Sequence, residues 1–342
     1  MIMDSGALSP ADFAEAAVAA IQACAGFSLR EAGSQIGAAG ISGMCAGEAV
    51  GGLGLPIRFA LPVLTAAGSE LFAFPLLETV LAARATEQSA PDLAASIVAG
   101  GSIITIAWSG SAEGKRIGER IKLNGTVGRA PFADSCSHVI VSLAHGGAIA
   151  VPVATPGVVC SPLGEFDYER PSFLVRLDNV ELDADRLISE EHWAEMELDA
   201  RLGRAALAFG CAEASLGLAE EHANTRRQFG RALSANQAMR HLLAREKLLL
   251  EGVRNILASV DTNDDSVGAL RKTACYLVAM EGGISIVEKS IQVHGAMGFT
   301  WEMPLHRHLR WLRELKAQGN ADHALLAVAD SVIDSNGHQY TF

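Results

Sequence analysis

Two arginines, a glutamine, a phenylalanine and a glycine follow one another at 226–230, where a helical pattern of apolar residues ends. One interpretation is structural: cations at the C-terminus of a helix complement its dipole, and the glycine then caps the helix. The other interpretation is chemical. An arginine fork and a glutamine amide at a helix end can bind a diphosphate, because the guanidinium presents several donors in one plane. The segment by itself leaves both open.

A second segment, Gln292 to Thr300, combines a leading amide side chain with small residues. Its glycines, Gly295 and Gly298, would let backbone amides approach a ligand closely, although a flexible loop between helices has the same composition. The arginines that follow at 307, 310 and 313 drift around one face of a helix, which is typical of a solvated surface. The segment is therefore a candidate binding loop or an ordinary connection.

Other known chemistries find little support. His294, His306 and His308 have no carboxylate or thiolate clustered with them, so we predict no metal site and expect these histidines to face solvent or a partner. The stretch Gly110 to Arg116 resembles a phosphate-binding loop but is one residue short and ends in arginine. No G-x-G-x-x-G follows a predicted strand, which argues against a Rossmann dinucleotide site.

The elements that must position these residues change in character along the chain. Residues up to about 100 are alanine-rich with helical spacing, and 62–85 predicts two short helices split near Pro75. β-branched runs from 103 onward predict short strands, with a hairpin turn at Asn124-Gly125. From about 195 apolar residues recur every three or four positions, and Ser234 to Gln237 fits a capping box. We predict an α+β, mainly α fold: an N-terminal helical domain (1–102), a small β-barrel or sheet domain (103–190) and a C-terminal four-helix bundle (191–342).

Composition excludes several classes of partner. The formal net charge is 27 − 39 = −12, which argues against nucleic acid and against anionic membranes, and 49% apolar residues argue against disorder. The first residues carry acidic groups and no lysine or arginine, unlike a secretory signal, and no charge-free stretch resembles a membrane helix. Six irregularly spaced cysteines are typical of reduced core residues, so we expect a cytoplasmic protein.

Taken together, the motifs resemble the acyl-CoA dehydrogenase family. The resemblance runs in the right order over about residues 35–335. It is carried by Thr225–Gly230 with Gln237, by Gln292–Thr300, by Glu302-x-Pro304-x-x-Arg307, by Gly43–Gly54 and by the segment 177–187.

The resemblance implies an FAD-dependent enzyme of β-oxidation that acts on an acyl-CoA thioester and passes electrons to an electron-transferring flavoprotein. In the family, FAD lies between subunits: the β domain of one protomer holds the isoalloxazine ring, and the bundle of its neighbour holds the diphosphate and adenosine. The bundle half is present in this sequence. The cofactor-binding residues that the resemblance implies are Arg226, Gln228, Phe229, Gln237, Gln292, Gly295 and Gly298.

The other half departs from the family pattern. The Thr-Glu-Pro-x-x-Gly-Ser flavin strand is replaced by Ala107–Ser111, and the Trp-Ile-Thr segment by Gly128–Ala130. The glutamate that serves as catalytic base in the family falls on Gly319, and its other family location falls near Ala200. A carboxylate is needed because the base must be ionised in a dry pocket. Glu195 and Glu197 are weak candidates, because either would need a gap in the alignment.

Both departures fit one hypothesis. The chain resembles the short, non-catalytic-type subunits of the heterotetrameric α2β2 acyl-CoA dehydrogenases of bacterial steroid side-chain degradation. It would donate its bundle half to FAD held by a catalytic partner subunit. Two alternatives stay open: an independent homomeric dehydrogenase with Glu195 or Glu197 as an atypical base, and a non-redox scaffold or acyl-CoA-binding homologue.

Overall fold

A computed structural model describes residues 9–164, 166–260 and 268–337 of the chain. They form two compact units: residues up to 67 together with 72–200, and residues 68–71 together with the chain from 201 onward. The fold is mainly helical, with the strands between the N-terminal and C-terminal helices, as the sequence predicts. The boundaries at 102 and 190 stay a prediction, since the first unit holds both the N-terminal helices and the strands.

Short helices open the first unit: α1 (Ala14–Gln22), α2 (Leu29–Ala38), α3 (Leu61–Ser69), α4 (Leu76–Ala85) and α5 (Pro91–Val98). At the start of α2 the Ser28 backbone N–H donates to Glu31 Oε2 at 2.8 Å, and the Glu31 N–H donates to Ser28 Oγ at 3.4 Å. This capping box satisfies donors that a helix N-terminus leaves open. α3 and α4 are the two short helices predicted on either side of Pro75. α4 is buried from Leu76 to Ala83, as expected of a helix with no polar face.

The strands of the first unit form two four-stranded sheets. They are β1 (Ile104–Ile106), β2 (Glu113–Ile117), β3 (Arg120–Pro131), β4 (His138–Ser142), β5 (Ala148–Pro152), β6 (Val158–Pro162), β7 (Ser172–Asp183) and β8 (Leu187–Ile188). One sheet has the order β1-β4-β5-β8, in which β1 and β4 are parallel, and the other has the antiparallel order β2-β3-β7-β6. Inward-facing residues of both sheets, such as Val141 and Val175, share one buried apolar cluster, so the sheets pack face to face.

The predicted hairpin turn at Asn124-Gly125 is wrong. The two residues lie inside β3, where the pairing with β7 shifts register between Leu123 and Gly125. Gly125 has φ +135°, so its lack of a Cβ serves a β-bulge and not a turn. The hairpin turn between β2 and β3 is Gly118-Glu119, with Gly118 at φ +64°. An Asn-Gly pair tolerates both geometries, and only strand pairing distinguishes them.

Long helices make up most of the second unit. α6 (Glu190–Thr225) begins in the first unit and continues into the second, where it is followed by β9 (Arg227–Gln228), β10 (Arg231–Ala232), α7 (Gln237–Ser259), α8 (Ala269–His294), α9 (Leu305–Gln318) and α10 (Ala321–Gly337). α9 carries Arg307, Arg310 and Arg313, which the sequence places around one face of a helix. The predicted capping box is also wrong: Asn236 is the N-cap of α7, and its Oδ1 accepts the Ala238 N–H at 3.1 Å.

Two further expectations concern cysteines and membranes. All six cysteines are free thiols, five of them buried, as predicted. Within the described ranges, no helix has the length and apolar character that a membrane span requires.

Candidate functional site

The arginine-rich segment forms a hairpin and not a helix cap. α6 ends at Thr225, and the paired strands β9 and β10 are joined by Phe229 and Gly230. Both turn residues have positive φ, +52° and +78°, as in the type I′ turns that suit two-residue hairpins. The structural interpretation, in which Gly230 caps the helix, is therefore wrong. The tight turn holds Phe229 at the tip of the hairpin.

The side chains of this hairpin point away from the core. Phe229 is 92% exposed, and Arg226 and Gln228 are exposed as well. Fully burying a phenylalanine side chain is worth about 1.5–3 kcal/mol, a gain that folding of this chain leaves unused. An aromatic ring at a hairpin tip beside guanidinium and amide donors is a surface suited to a ligand or partner.

The predicted segments are brought together at one end of the second unit, which we call the bundle end: the C-terminal ends of α6 and α8, the β9–β10 hairpin and the start of α7. Ala223 of α6 and Val293 of α8 share a buried cluster, against which Leu233 and Leu242 pack. The imidazole rings of His222 and His294 stack at 4.4 Å between centroids, with 26° between their planes. Residues far apart in the sequence thus lie together at this end of the unit.

The remaining predicted residues of the bundle end differ in what surrounds them. Gln237 is the first residue of α7, with Nε2 3.4 Å from His241 Nε2. Gln292 is exposed on α8, and its Oε1 accepts from Lys289 Nζ at 3.3 Å. Gly295 ends α8 with φ +63°, and a Cβ there would meet nothing within 4 Å. Gly295 therefore leaves open space at the helix end.

Gly298 has a different reason to be glycine. It is buried, and a Cβ on it would lie 2.9 Å from the Ile291 carbonyl oxygen and 3.1 Å from the Ile291 Cα. Its small size therefore serves the packing of the 295–299 turn against α8. A binding role for Gly298 stays a prediction.

The exposed groups of the bundle end fit a diphosphate-bearing cofactor. Arg226, Arg227 and Gln228 offer charge-assisted and amide donors, and none of them is buried against its own chain. At Gly295 no side chain keeps a ligand away from the backbone. The exposed ring of Phe229 offers an apolar face. This combination suits an anionic group joined to an aromatic base.

The β-domain segment that corresponds to the flavin strand is closed. The Ser109 N–H donates to the Gly128 carbonyl at 3.1 Å, and the Gly128 N–H donates to the Ser109 carbonyl at 2.8 Å. Leu174 of β7 covers the same place, since a Cβ on Gly128 would lie 2.8 Å from Leu174 Cδ2. The neighbouring Trp108 donates its indole N–H to the buried Glu78 at 2.8 Å. The backbone donors of the Ser109–Gly128 pair are thus satisfied within the chain and are not available to a flavin ring.

The ring of Tyr276 fills the space beside Gly319, the position on which the resemblance places the family's glutamate. A Cβ on Gly319 would lie 2.3 Å from Tyr276 Oη and 2.4 Å from Cζ, although Gly319 has φ −81°, which any residue adopts. The hydroxyl of Tyr276 donates to the Lys316 carbonyl at 3.0 Å and contacts that of Leu315 at 3.3 Å, which caps the end of α9. Burial raises the pKa of Tyr276 to about 12 against the opposing effect of Arg204 and Arg201, so the ring stays neutral.

The two weak candidates for the base lie in different surroundings. Glu195 lines a cavity of about 220 Å³ in the first unit, where its Oε2 is 3.7 Å from Arg84 Nη2. Arg84 also binds Asp199 at 3.3 Å, and that carboxylate is largely buried. Glu197 is exposed and does not line this cavity. The geometry favours Glu195 over Glu197, although its carboxylate is held by a cation.

The sequence reasoning missed Asp199, Arg84 and Tyr276. Asp199 precedes Ala200, at the family's alternative location of the base, so its acidic type was a usable signal. It also acts on Cys45, whose pKa is raised to about 12, first by burial and then by the Asp199 carboxylate. Tyr276 had no such signal, because nothing in its local sequence indicates contact with Gly319.

Among the residues that the structure describes, no group of three or more histidine, cysteine, aspartate or glutamate side chains is placed to hold a metal ion. His294, His306 and His308 are all buried in their own chain, so the expectation that they face solvent or a partner is wrong.

Comparison with known proteins identifies the family of this chain. Residues 196–332 match the family model described as acyl-CoA dehydrogenase, C-terminal domain. The chain is 30% identical over 298 residues to the acyl-CoA dehydrogenase FadE27 of Mycobacterium tuberculosis, which covers 79% of each protein.

Two solved structures share the fold. The ChsE4-ChsE5 complex from Mycobacterium tuberculosis matches with a TM-score of 0.86 at 24% identity, covering 96% of this chain and 99% of that chain. A variant of the Tcur3481-Tcur3483 steroid ACAD matches with a TM-score of 0.86 at 22% identity, covering 96% and 98%. The chain therefore belongs to the acyl-CoA dehydrogenase family, whose members are FAD-dependent oxidoreductases.

Proposed function

We propose that this chain is the non-catalytic-type subunit of a heteromeric acyl-CoA dehydrogenase, which contributes the bundle half of an FAD site to a catalytic partner subunit. One observation carries the proposal: the groups suited to the diphosphate end are exposed and open, whereas the Ser109–Gly128 pair and the Tyr276–Gly319 contact close the positions of the flavin ring and the base. If the partner subunit supplies the flavin contacts and the base, selection does not act to keep either of them in this chain.

In this assignment FAD supplies the acceptor for the hydride that leaves the acyl β-carbon. The guanidinium of Arg226 and the amide of Gln228 bind diphosphate oxygens, because both are exposed and present several donors with no competing partner among the described residues. Phe229 gives an apolar face to the adenosine, while Gln237, Gln292 and Gly295 complete the polar contacts. The partner supplies the carboxylate that removes the α-proton.

The proposed assembly is an α2β2 heterotetramer with a bulky, steroidal acyl-CoA as its substrate and an electron-transferring flavoprotein as its acceptor. It is supported by the two structural neighbours described as a complex and as a steroid enzyme, both built on this fold. Because their identity to this chain is below 25%, substrate class and assembly are properties to be measured on this protein.

Co-purification tests the proposal. The chain is expressed alone and with a longer acyl-CoA dehydrogenase from a neighbouring reading frame, and FAD is counted per subunit. We expect flavin only in the complex, and loss of most of it in Arg226→Ala. Arg271→Ala is the matched control, since Arg271 is an exposed arginine near the start of α8. One FAD per subunit and full turnover from this chain alone would falsify the proposal.

The homomeric alternative has one favourable observation, the position of Glu195 in a cavity. Glu195→Gln and Glu197→Gln separate it from the main proposal in the same assay. If the chain alone turns over and only Glu195→Gln abolishes turnover while flavin is retained, Glu195 is the base. A complete lack of flavin with every partner tested favours the non-redox scaffold instead.

A further inference from the structure

The stacked pair His222 and His294 lies between the two segments that the bundle end contributes. His222 is in the last turn of α6, and its carbonyl accepts the Arg226 N–H at 2.9 Å. His294 is the last residue of α8, directly before Gly295. The 4.4 Å stack therefore joins the arginine hairpin to the glycine turn through two titratable rings.

The two imidazole rings differ in burial and in the hydrogen bonds of their nitrogens. His294 is 7% exposed, and its Nδ1 lies 2.9 Å from the Ser290 carbonyl. A carbonyl oxygen only accepts, so Nδ1 carries the proton and holds the ring in one orientation. His222 is half-buried, and none of the described residues hydrogen-bonds its imidazole nitrogens. His222 is the more exposed ring of the pair, so a positive charge on it loses less solvation than one on His294.

We propose that His222 takes up a proton when the diphosphate of FAD binds at Arg226, so that the bundle end binds its cofactor more tightly at mildly acidic than at alkaline pH. The inference rests on the proposed function, because it requires the anion to bind beside Arg226. Its new content is the assignment of His222 as a proton-linked positioning residue.

The electrostatics of the free chain support the direction of this linkage. Burial lowers the pKa of His222, and its two charged or titratable neighbours, His294 from α8 and Arg226 from its own segment, lower it further. An anion at Arg226 offsets the guanidinium charge and favours the imidazolium, which raises the pKa. Because binding raises the pKa of a group, protons and ligand bind cooperatively, and a rise of half a unit corresponds to roughly threefold tighter binding at acid pH.

Calorimetry on the complex tests the inference. FAD is titrated into the cofactor-free complex with its partner, between about pH 5.5 and 8, where an imidazole titrates. Buffers with different ionisation enthalpies report the protons taken up per FAD bound. We expect net uptake near the pKa of His222 and FAD affinity that falls severalfold towards alkaline pH.

The variants separate titration from packing. His222→Phe keeps an aromatic ring against His294 and removes the titratable nitrogens, and His222→Gln tests the same loss with a smaller polar side chain. Both should bind FAD with no excess proton uptake and a flatter pH profile. His323→Gln, which removes an exposed histidine from α10, should behave as wild type.

The outcomes distinguish this inference from the proposed function. If Arg226→Ala leaves FAD affinity unchanged, the cofactor assignment itself fails. If Arg226→Ala weakens FAD binding but proton uptake is absent, reversed in sign, or unchanged in His222→Phe, the inference about His222 is overturned and the cofactor assignment stands.

Discussion

The bundle end and the β-domain strand segment are the two places that the resemblance assigns to the flavin, and this chain treats them oppositely. At the bundle end, polar and aromatic groups are left exposed on a two-residue hairpin. In the β domain, Ser109 and Gly128 satisfy each other and Leu174 covers them. Under the proposed function, the β-domain half is lost through the pairing of its own backbone donors, while the fold around it is kept.

The same contrast separates residues that stabilise the chain from residues that only its ligands use. A closed site is a packed site, so substitutions there change the free energy of unfolding. An open site contributes little to stability, so substitutions there change binding alone. Four predictions test this division.

The largest expected difference in unfolding free energy is between alanine variants of two phenylalanines, one buried and one exposed. Phe173 is 4% exposed in the core between the two sheets, and Phe173→Ala should cost about 3–5 kcal/mol of unfolding free energy. Phe229→Ala removes a ring that is 92% exposed and should change stability by less than about 0.5 kcal/mol, yet lower flavin retention in the complex. Urea unfolding and flavin content measure the pair. Comparable destabilisation by both variants would break the comparison.

Gly319→Ala tests the closed position of the base. The new Cβ would collide with the buried ring of Tyr276, so we expect a loss of about 1–3 kcal/mol. The control is Gly217→Ala in α6, where a Cβ meets nothing within 4 Å and helix propensity predicts a gain of about 0.5–1 kcal/mol.

A double-mutant cycle assigns the cause to the ring. In a Tyr276→Ala background, which is itself destabilised by the lost core volume, Gly319→Ala should cost little, giving a coupling energy of about 0.5–3 kcal/mol. Chemical denaturation measures all four corners. Strictly additive costs would show that Tyr276 does not exclude a side chain at 319.

Gly128→Ala tests the closed segment of the β domain and should have a smaller effect on the free energy of unfolding. Its Cβ meets the end of the Leu174 side chain at 2.8 Å and Ser109 Oγ at 3.1 Å, both of which can shift, so we expect a cost of about 1 kcal/mol. Adding Leu174→Ala should relieve most of that cost. Thermal unfolding of the single and double variants measures this. A cost that persists without Leu174 would assign the strain to the backbone pairing.

The smallest expected effect is on how the free energy of unfolding depends on pH, through one histidine in each of the two regions. Burial, reinforced by the Arg186 charge, lowers the pKa of His138 in the β domain, as burial, His294 and Arg226 lower that of His222 in the bundle. The fold favours the neutral forms, so stability is fully present above the unfolded pKa of about 6.5 and is lost as pH falls through the lowered folded values. His138→Gln and His222→Phe should each flatten the loss of stability between about pH 7 and 5.

Denaturant midpoints measured across this pH range report each contribution separately. His323→Gln, on the exposed side of α10, should leave the slope unchanged. A steeper acid loss in His222→Phe than in wild type would show that the imidazolium is stabilised in the free chain, which would contradict the electrostatics assigned to the bundle end.

Much of the architecture was predictable because its causes are local. The β-branched runs around Val139 and Ile149 became strands, and the helices on either side of Pro75 formed as expected. The errors share one physical reason. Asn124-Gly125 and Phe229-Gly230 each contain a glycine, which adopts positive φ without strain, and strand pairing decides whether such a pair becomes a bulge, a turn or a cap.

The candidate site divides in the same way. The residue types at 226–229 and 292–295, and the glycine where a glutamate would stand, can be read from the chain without coordinates. The exposure of Phe229 and the open space at Gly295 cannot, because exposure depends on which elements pack over a residue.

The sequence by itself determined the family-like motifs, the net charge of −12, the order of helices and strands and the glycine at 319, where the resemblance implies a glutamate. Only the tertiary structure decided that Tyr276 fills that place, that Ser109 and Gly128 satisfy each other, and that His222 stacks on His294. The physical reason is the sequence separation over which each kind of information acts. Composition, periodicity and motifs act over a few neighbouring residues, whereas each of these three contacts joins residues well separated in the chain and exists only after the elements have packed.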